Sequence, residues 1–353
     1  MVRQKIQKHI EIVRSTRAWP GSMREAAAEA IYTALSKNYT TVSMTIVNNV
    51  ADLEALVERK PDLVFLGIKF TPLKSSSGSP DKIWISEYLD QYGIPYTGSD
   101  QNAHMLDINK PLAKQRVLDA GLNTSPYFVA RQGYRYTSGD ISLALPVFIK
   151  PADRGDGYGI DSHSLAHNFD QLQSKIQSIT ADLHSDSLIE EYLPGREFSV
   201  AILRKEYSDS FYAIPLELVA PLDKQGARIL TEQVKSLDTE RSMEVADEDT
   251  SYKVCKLAVD AFSALGARDY GRIDIRMDKN GTPHFLEANL LPSLRSSPGN
   301  YFPKACLLSM GMSYEAMILH IVRLGLNRTA EDELTEDAVD SLAFNSVAIP
   351  AAA

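Results

Sequence analysis

The chain has 353 residues, 44% apolar and 24% charged, which excludes a disordered or fibrous protein and supplies enough for roughly two or three domains. With 37 basic against 46 acidic residues the net charge is -9, so binding of nucleic acid through its phosphates is not expected. The two cysteines, Cys255 and Cys306, lack metal or redox spacing, and nowhere do about 18 apolar residues run uninterrupted by charge; a reducing, cytoplasmic protein with no membrane segment is expected.

In chain order, His9 to Val13 reads as a strand and Ser22 to Leu35 as a helix, with Ala26, Ala27, Ala30, Ile31 and Leu35 at helical spacing. Val42 to Val47 alternates as a strand, Asp52 to Glu58 reads as a helix, Asp62 to Ile68 as a buried strand, and Trp84 to Tyr92 as a helix. Strands alternating with helices predict a small parallel α/β sheet covered on both faces. Lys74 to Pro80, rich in Ser and Gly, reads as a mobile loop.

From Ile108 the texture changes to α+β. A helix ends at Gly121, strands follow at Pro146 to Lys150 and Ser187 to Tyr192, and a helix near Leu172 to Ile179 lies between them. The last block has strands at Phe198 to Leu203 and Phe211 to Pro215, a polar stretch from Lys224 to Asp249, and a helix over Lys253 to Leu265. A hairpin and a helix at Tyr314 to Leu324 follow. The expected organisation is an N-terminal α/β domain (1–106), a central α+β block (107–191), a third block (192–326) and an acidic, partly loose tail (327–353).

The most informative segment is Arg272 to Asn289, where two strand-like runs flank Asn280-Gly281, a strong signal for a two-residue turn. With Lys279 opposite Thr282, Asp274 faces Glu287, Arg272 faces Asn289, and all four share one side of the ribbon. Ile273, Ile275, Met277, Leu286 and Ala288, with His284, then form the buried side. Two carboxylates directly across a ladder repel unless something positive stands between them. Asp274, Glu287 and Asn289 offer oxygen alone, which suits a hard ion such as Mg2+ that completes its shell with water and substrate phosphates. An amphipathic hairpin with a wet, charged face has the same period.

The strand Pro146 to Lys150 runs into Pro151-Ala152-Asp153-Arg154-Gly155-Asp156-Gly157-Tyr158-Gly159. Its alternate glycines allow close backbone approach and N–H groups aimed at phosphate oxygens, although a plain flexible loop has the same composition. Leu188 to Leu193 ends a strand at a block junction, a natural place for an adenine slot, with Glu190 and Glu197 as candidate acceptors.

In this order the pieces resemble the ATP-grasp superfamily, most closely the D-alanine–D-alanine ligases. The matching stretches are Asn109 to Lys114 with Ala120-Gly121-Leu122, Pro146 to Pro151 with the glycine loop, Leu188 to Val200, and Tyr270 to Pro292 running into Gly311-Met312-Ser313. The resemblance implies an ATP-grasp fold in which two α+β subdomains clamp ATP beside an N-terminal α/β domain. It implies that Lys110, Lys150 and Lys235 contact phosphate, that the Gly155, Asp156 and Gly157 backbone folds over it, and that Glu190, Tyr192, Leu193 and Glu197 hold the adenosine. Asp274, Glu287 and Asn289 are implied as ligands of two Mg2+ ions, with Mn2+ as an alternative, and Arg272 as the catalytic guanidinium beside Lys150. The implied reaction is amide synthesis through an acyl phosphate, with a small carboxylate and an amino acid as substrates and a homodimer as the expected assembly.

The resemblance fails where the family reads its amino acids. Ser15 to Gly21 lacks the family's glycine-rich turn with its Glu, Gly67-Ile68-Lys69-Phe70 stands in place of a His-Gly pair, and Asp156 or Gly157 replaces the phosphate-loop serine. Arg228 to Asp238 lacks the family's Tyr-containing loop, and Leu290-Leu291-Pro292-Ser293 replaces T-x-P-G. Asn300-Tyr301 aligns with the pair that receives the second D-alanine. Ser293, Asn300 and Tyr301 are therefore the candidate substrate residues. The expected activity is a ligase with a changed acid, amine or both, similar to L-amino-acid ligases or mycosporine-type amino-acid ligases. A diverged cell-wall ligase and a non-catalytic ATP-binding module are the alternatives.

Overall fold

The computed structural model describes residues 4–17, 22–72, 82–155, 157–223, 225–296 and 300–342, with side chains through Arg328. Strands β1 (Ile6–Arg14), β2 (Tyr39–Ile46) and β3 (Leu63–Leu66) form a parallel sheet in the order β2-β1-β3, connected through α1 (Glu25–Ser36) and α2 (Val50–Glu58). One face buries Ile10, Ile12 and Phe65 with Ala28, Ile31 and Leu35 of α1. The other buries Val13, Val64 and Leu66 with Leu53 and Leu56 of α2, so both faces are covered as the alternation predicts. A reciprocal Asn49–Asp52 capping box starts α2.

A small hairpin, β4 (Phe70–Pro72) and β5 (Lys82–Trp84), leads into α3 (Ile85–Gln91). The single helix expected to run from Ile108 to Gly121 is two helices instead, α4 (Gln101–Ile108) and α5 (Lys110–Asp119). Asn109 breaks them: it leaves helical geometry at φ -122° and ψ 88°, and its side chain accepts from the Leu112 N–H at 3.1 Å while Pro111 occupies the first turn. Lys110 thereby starts a helix.

The second sheet is antiparallel, in the order β6-β9-β7-β8, from β6 (Tyr127–Ala130), β7 (Val147–Pro151), β8 (Leu165–Ala166) and β9 (Ser187–Glu191), backed by α6 (Phe169–Leu183). The third contains β10 (Glu197–Arg204), β11 (Phe211–Val219), β12 (Arg241–Glu244), β13 (Tyr270–Met277) and β14 (Pro283–Asn289), ordered β12-β11-β10-β13-β14. The polar stretch from Lys224 to Asp249 contains a short helix, α7 (Glu232–Leu237), as well as β12. Helix α8 (Glu248–Ala264) packs Val254, Ala258 and Phe262 under Phe198, Val200, Ile273 and Ile275, and Ala113 and Val117 of α5 join that core. Helix α9 (Tyr301–Met310) covers the rest of the sheet.

Helix α10 spans Tyr314–Leu342, which corrects the expectation of a helix ending at Leu324. From Leu326 to Leu342 the sequence contains neither Gly nor Pro, so an acidic composition that reads as solvated tail is equally that of an exposed helix. Among the described residues no single helix is long and apolar enough to cross a membrane. The Ser- and Gly-rich loop, Trp19, Asp156 and the chain beyond Leu342 lie outside the described residues.

Candidate active site

Strands β13 and β14 pair Arg272 with Asn289, Ile273 with Ala288 and Asp274 with Glu287. Beyond Asp274 the register shifts: Ile275 pairs with Phe285, Arg276 with His284 and Met277 with Pro283. Leu286 is therefore an extra residue, a β-bulge. The turn is also one residue longer than expected: the Asp278 N–H donates to the Thr282 carbonyl at 2.9 Å, so Asp278 and not Lys279 stands opposite Thr282, and the longer turn and the bulge together correct the expected side of two residues. Leu286 turns out of the core to line a cleft while fully buried Phe285 takes its place, and His284 moves opposite Arg276. The cause is a contact from outside the hairpin. Phe285 donates its N–H to the Asn123 carbonyl at 2.9 Å and accepts from the Thr124 hydroxyl at 2.7 Å, which holds one residue out of the simple ladder.

Alternation along β10 and β13 gathers the site on one face of the third sheet, where Ser199 pairs with Asp274 and Glu197 with Arg276. Arg272 grips Asp274 with two parallel contacts of 2.9 and 3.0 Å, and the Ser199 hydroxyl donates to the same carboxylate at 2.7 Å. Arg276 donates to Glu197 at 2.8 Å and to the Tyr192 hydroxyl at 3.0 Å. Burial pushes the Glu197 carboxyl up, against the pull of Arg276. Burial opposes the charge of Glu287 as well, but Lys110, Lys150, Lys235 and Arg272 outweigh it and hold its pKa down to about 2.

The glycine loop joins this face from the second sheet. Lys150, on β7, reaches Glu190 of β9 at 2.8 Å, and Glu190 is also 2.5 Å from Lys114. All three side chains are buried. Burial disfavours a charged Glu190, yet the two ammoniums win and lower its pKa. Lys110 donates to the Arg154 carbonyl and stands 3.5 Å from Glu287. Gly157 lies against α7, with a Cβ there in ordinary contact with Lys235 at 3.5 Å, and its φ of +78° is the constraint that favours glycine.

Between the second and third sheets lies an open cleft of about 730 Å³, with Lys150, Glu190, Glu197, Lys235, Asp274 and Glu287 around an apolar wall that includes Phe148, Leu193, Leu218 and Leu286. The Tyr192 N–H donates to the Pro146 carbonyl at 3.1 Å, while Leu193 faces the cleft. A second cleft of about 430 Å³ meets the first at Glu287 and is lined by Lys69, Asp107, Lys110, Arg154, Gly155 and Asn289. Lys69 and Asp107 form a buried ion pair across it at 2.6 Å.

Of the substrate candidates, Ser293 is exposed and Asn300 is buried at the start of α9. Tyr301 is buried with Arg272 over its ring at 5.5 Å and its hydroxyl on Glu240. Lys114, Ser199 and Arg276 are not among the candidates from sequence, although Ser199 lies two residues after Glu197 on β10 and Arg276 two after Asp274 on β13.

The residues on this face suit a hard divalent cation. Asp274 and Glu287 face each other across the ladder, both line open space, and Asn289 Oδ1 is buried with no hydrogen-bond partner among the described residues. The described residues hold no group of three His, Cys, Asp or Glu that makes a metal cage by itself. That composition fits an ion completed by oxygens from outside the protein.

The family model described as the D-ala D-ala ligase C-terminus matches residues 117–323, more than half of the chain, and the chain belongs to this family. A D-alanine–D-alanine ligase of Haemophilus ducreyi is 30% identical over 246 residues, 67% of this chain and 74% of that one. An uncharacterized protein of Sinorhizobium fredii, y4sG, is 29% identical over 266 residues, 74% and 75% of the two chains. The fold is also that of the D-alanine–D-alanine ligase of Bacillus anthracis, solved as a complex with ATP, at a TM-score of 0.70 over 93% of this chain and 100% of that one with 17% identity. The protein is thus an ATP-grasp carboxylate–amine ligase of the D-alanine–D-alanine ligase type.

Proposed function

We propose that the protein joins a small carboxylate to the amine of an amino acid, that at least one of the two differs from D-alanine, and that the product belongs to a dipeptide or natural-product pathway, as for L-amino-acid ligases and mycosporine-type amino-acid ligases. The observation that carries this reading is the Lys69–Asp107 pair, which puts a buried ammonium and carboxylate into the cleft beside Glu287 and Asn289. That cleft is the one where the activated acid has to lie.

In this mechanism Lys110, Lys150 and Lys235 bind phosphate oxygens of ATP, and the backbone from Gly155 to Gly157 covers them. The apolar wall of the first cleft takes the adenine, beside the Tyr192-Leu193 linker and Glu190, and Glu197 takes the ribose. Asp274, Glu287 and Asn289 would hold Mg2+, two ions in this reading and replaceable by Mn2+. The metal supplies charge neutralisation at the transferring phosphoryl group. A substrate carboxylate oxygen attacks the γ-phosphorus and ADP leaves; the amine nitrogen then attacks the acyl carbon, and inorganic phosphate leaves with the bonding pair. Arg272, anchored by Asp274 and held over the Tyr301 ring, presents its positive charge where the tetrahedral oxyanion develops. Ser293, Asn300 and Tyr301 line the approach of the amine.

A second reading, ligation of two D-alanines, is supported by relatives of that name at about 30% identity. Phosphate release from ATP across a panel of amino acids and small carboxylates, with product mass and chirality read out, decides between them. A mixed or L-configured product supports the proposal, D-alanyl-D-alanine as the main product supports the second reading, and MgATP binding without turnover on any pair overturns both.

A further inference from the structure

Lys114 is fully enclosed, at 0% exposure, and the reaction as derived gives it no task. It lies four residues after Lys110 on α5, pointing inward between the second and third sheets. Its ammonium is 2.5 Å from Glu190 Oε1, donates to the Thr124 hydroxyl at 2.6 Å, and reaches the Phe285 carbonyl at 3.4 Å. Of the three hydrogens of the ammonium, two go to Thr124 and Phe285, and the contact with Glu190 is an ion pair. Burying such a charge is costly unless every donor is matched, and matching every donor fixes where the acceptors stand.

Each acceptor belongs to a different part of the site. Glu190 holds Lys150 with its other oxygen at 2.8 Å. Thr124 passes its own hydrogen to the Phe285 carbonyl at 2.7 Å. Phe285 immediately precedes Leu286, the extra residue whose insertion returns Glu287 to its place opposite Asp274. The chain of contacts Lys150–Glu190–Lys114–Phe285 therefore runs from the phosphate-facing lysine of one sheet to the bulge of the other.

We propose that Lys114 is a positioning residue that sets the phosphate lysine Lys150 and the metal acid Glu287 at a fixed separation, through Glu190 on one side and the Phe285 bulge on the other. The proposal rests on the nucleotide reading above. Glu190 is, in this arrangement, a holder of Lys150 as well as part of the cleft wall. Lys114 touches neither nucleotide nor metal, so its removal disturbs the alignment of triphosphate with metal and leaves the adenine wall in place.

The test compares Lys114→Met with the unchanged full-length protein by calorimetric titration with MgATP, with ATP in EDTA, and with adenosine. The expected result is a fall of about tenfold or more in MgATP affinity, with adenosine affinity within about twofold of the unchanged protein. Equal losses for MgATP and adenosine, or no loss for either, overturn the proposal, since a plain structural pin predicts one or the other. Failure of the unchanged protein to bind MgATP sinks the nucleotide reading and the proposal with it; MgATP binding that Lys114→Met leaves intact sinks the proposal alone. Should Lys114→Met fail to fold, Thr124→Val decides. It keeps the Lys114–Glu190 pair but removes the hydroxyl that holds the Phe285 carbonyl, and it is expected to shrink the ratio of ATP affinities with Mg2+ and with EDTA while sparing adenosine. An unchanged ratio overturns the proposal.

Discussion

The two clefts that meet at Glu287 are built from different materials. The larger is walled by strands of two sheets, with Phe148, Leu193, Leu218 and Leu286 supplying apolar surface and with Lys150 and Arg276 tied into ion pairs behind it. The smaller is assembled where helix ends, the glycine loop and the end of β14 come together, and its lining is dominated by Lys69, Asp107, Lys110, Asp153, Arg154 and Glu287. A flat ring with a charged tail suits the first, and a small polar acid suits the second. Groups on paired strands are fixed by their ladders, whereas groups at helix ends and on loops are free to be exchanged without rebuilding a core. On the proposed reading, one end of the site keeps a shared chemistry and the other is where a substrate is chosen.

Breaking the residue common to both ends has the largest expected effect. Glu287→Gln keeps the shape and hydrogen-bonding reach of the side chain but removes the charge that faces Asp274, and turnover is expected to fall by about 10³-fold while the fold is retained. Phosphate release and a thermal melt measure the two separately, and full activity in this variant refutes the metal assignment. Arg272→Lys is next: it keeps a positive charge but loses the paired contacts to Asp274 and moves the charge off the Tyr301 ring, and a loss of about 10²-fold in kcat is expected, with little change in MgATP affinity. A KM change at constant kcat removes Arg272 from the chemical step.

The same contrast decides what the sequence discloses. Asn280-Gly281 is a local signal, so a hairpin that joins β13 to β14 is legible from those two runs alone. The bulge at Leu286 is not, because its cause is Asn123 and Thr124, more than 150 residues away in the chain. Placed by a two-residue turn and plain alternation, Leu286 and His284 fall on the wrong face, while Asp274 and Glu287 still face each other because the extra turn residue and the bulge offset one another. Lys114 and the Lys69–Asp107 pair are equally silent: a lysine on a short helix reads as solvent-facing until tertiary packing surrounds it. The parallel first sheet follows from alternating strands and helices. Helix α9 has no counterpart among the expected elements, and Pro303 in its first turn is a position a helix tolerates.

Two substitutions separate the clefts. Leu286→Ala removes apolar wall from the larger and is expected to weaken ATP binding about tenfold while leaving the KM of the acid in place. Lys69→Met removes the ammonium of the smaller and is expected to raise the KM of the acid about tenfold with MgATP affinity unchanged. Titration of each variant with ATP, and initial rates against acid concentration, give the two numbers. If both variants move both quantities together, the clefts act as one site and the division of labour fails.

The smallest effect concerns stability and reports the field that the lysines make at the junction. The folded protein lowers the Glu287 pKa from 4.5 to about 2: burial alone would raise it, and Lys110, Lys150, Lys235 and Arg272 reverse the sign. A carboxyl whose folded pKa lies below its unfolded one stabilises the fold above the unfolded value, and that contribution is lost as pH falls from about 4.5 toward 2. With a quarter of the side chain exposed, the contribution is on the order of 1 kcal/mol after solvent screening. Urea unfolding of the unchanged protein should therefore steepen its loss of stability through this window relative to Glu287→Gln, which has no carboxyl there to titrate. Parallel curves for the two proteins would place the lysine charges elsewhere than on Glu287, and with them the phosphate-binding end of the cleft.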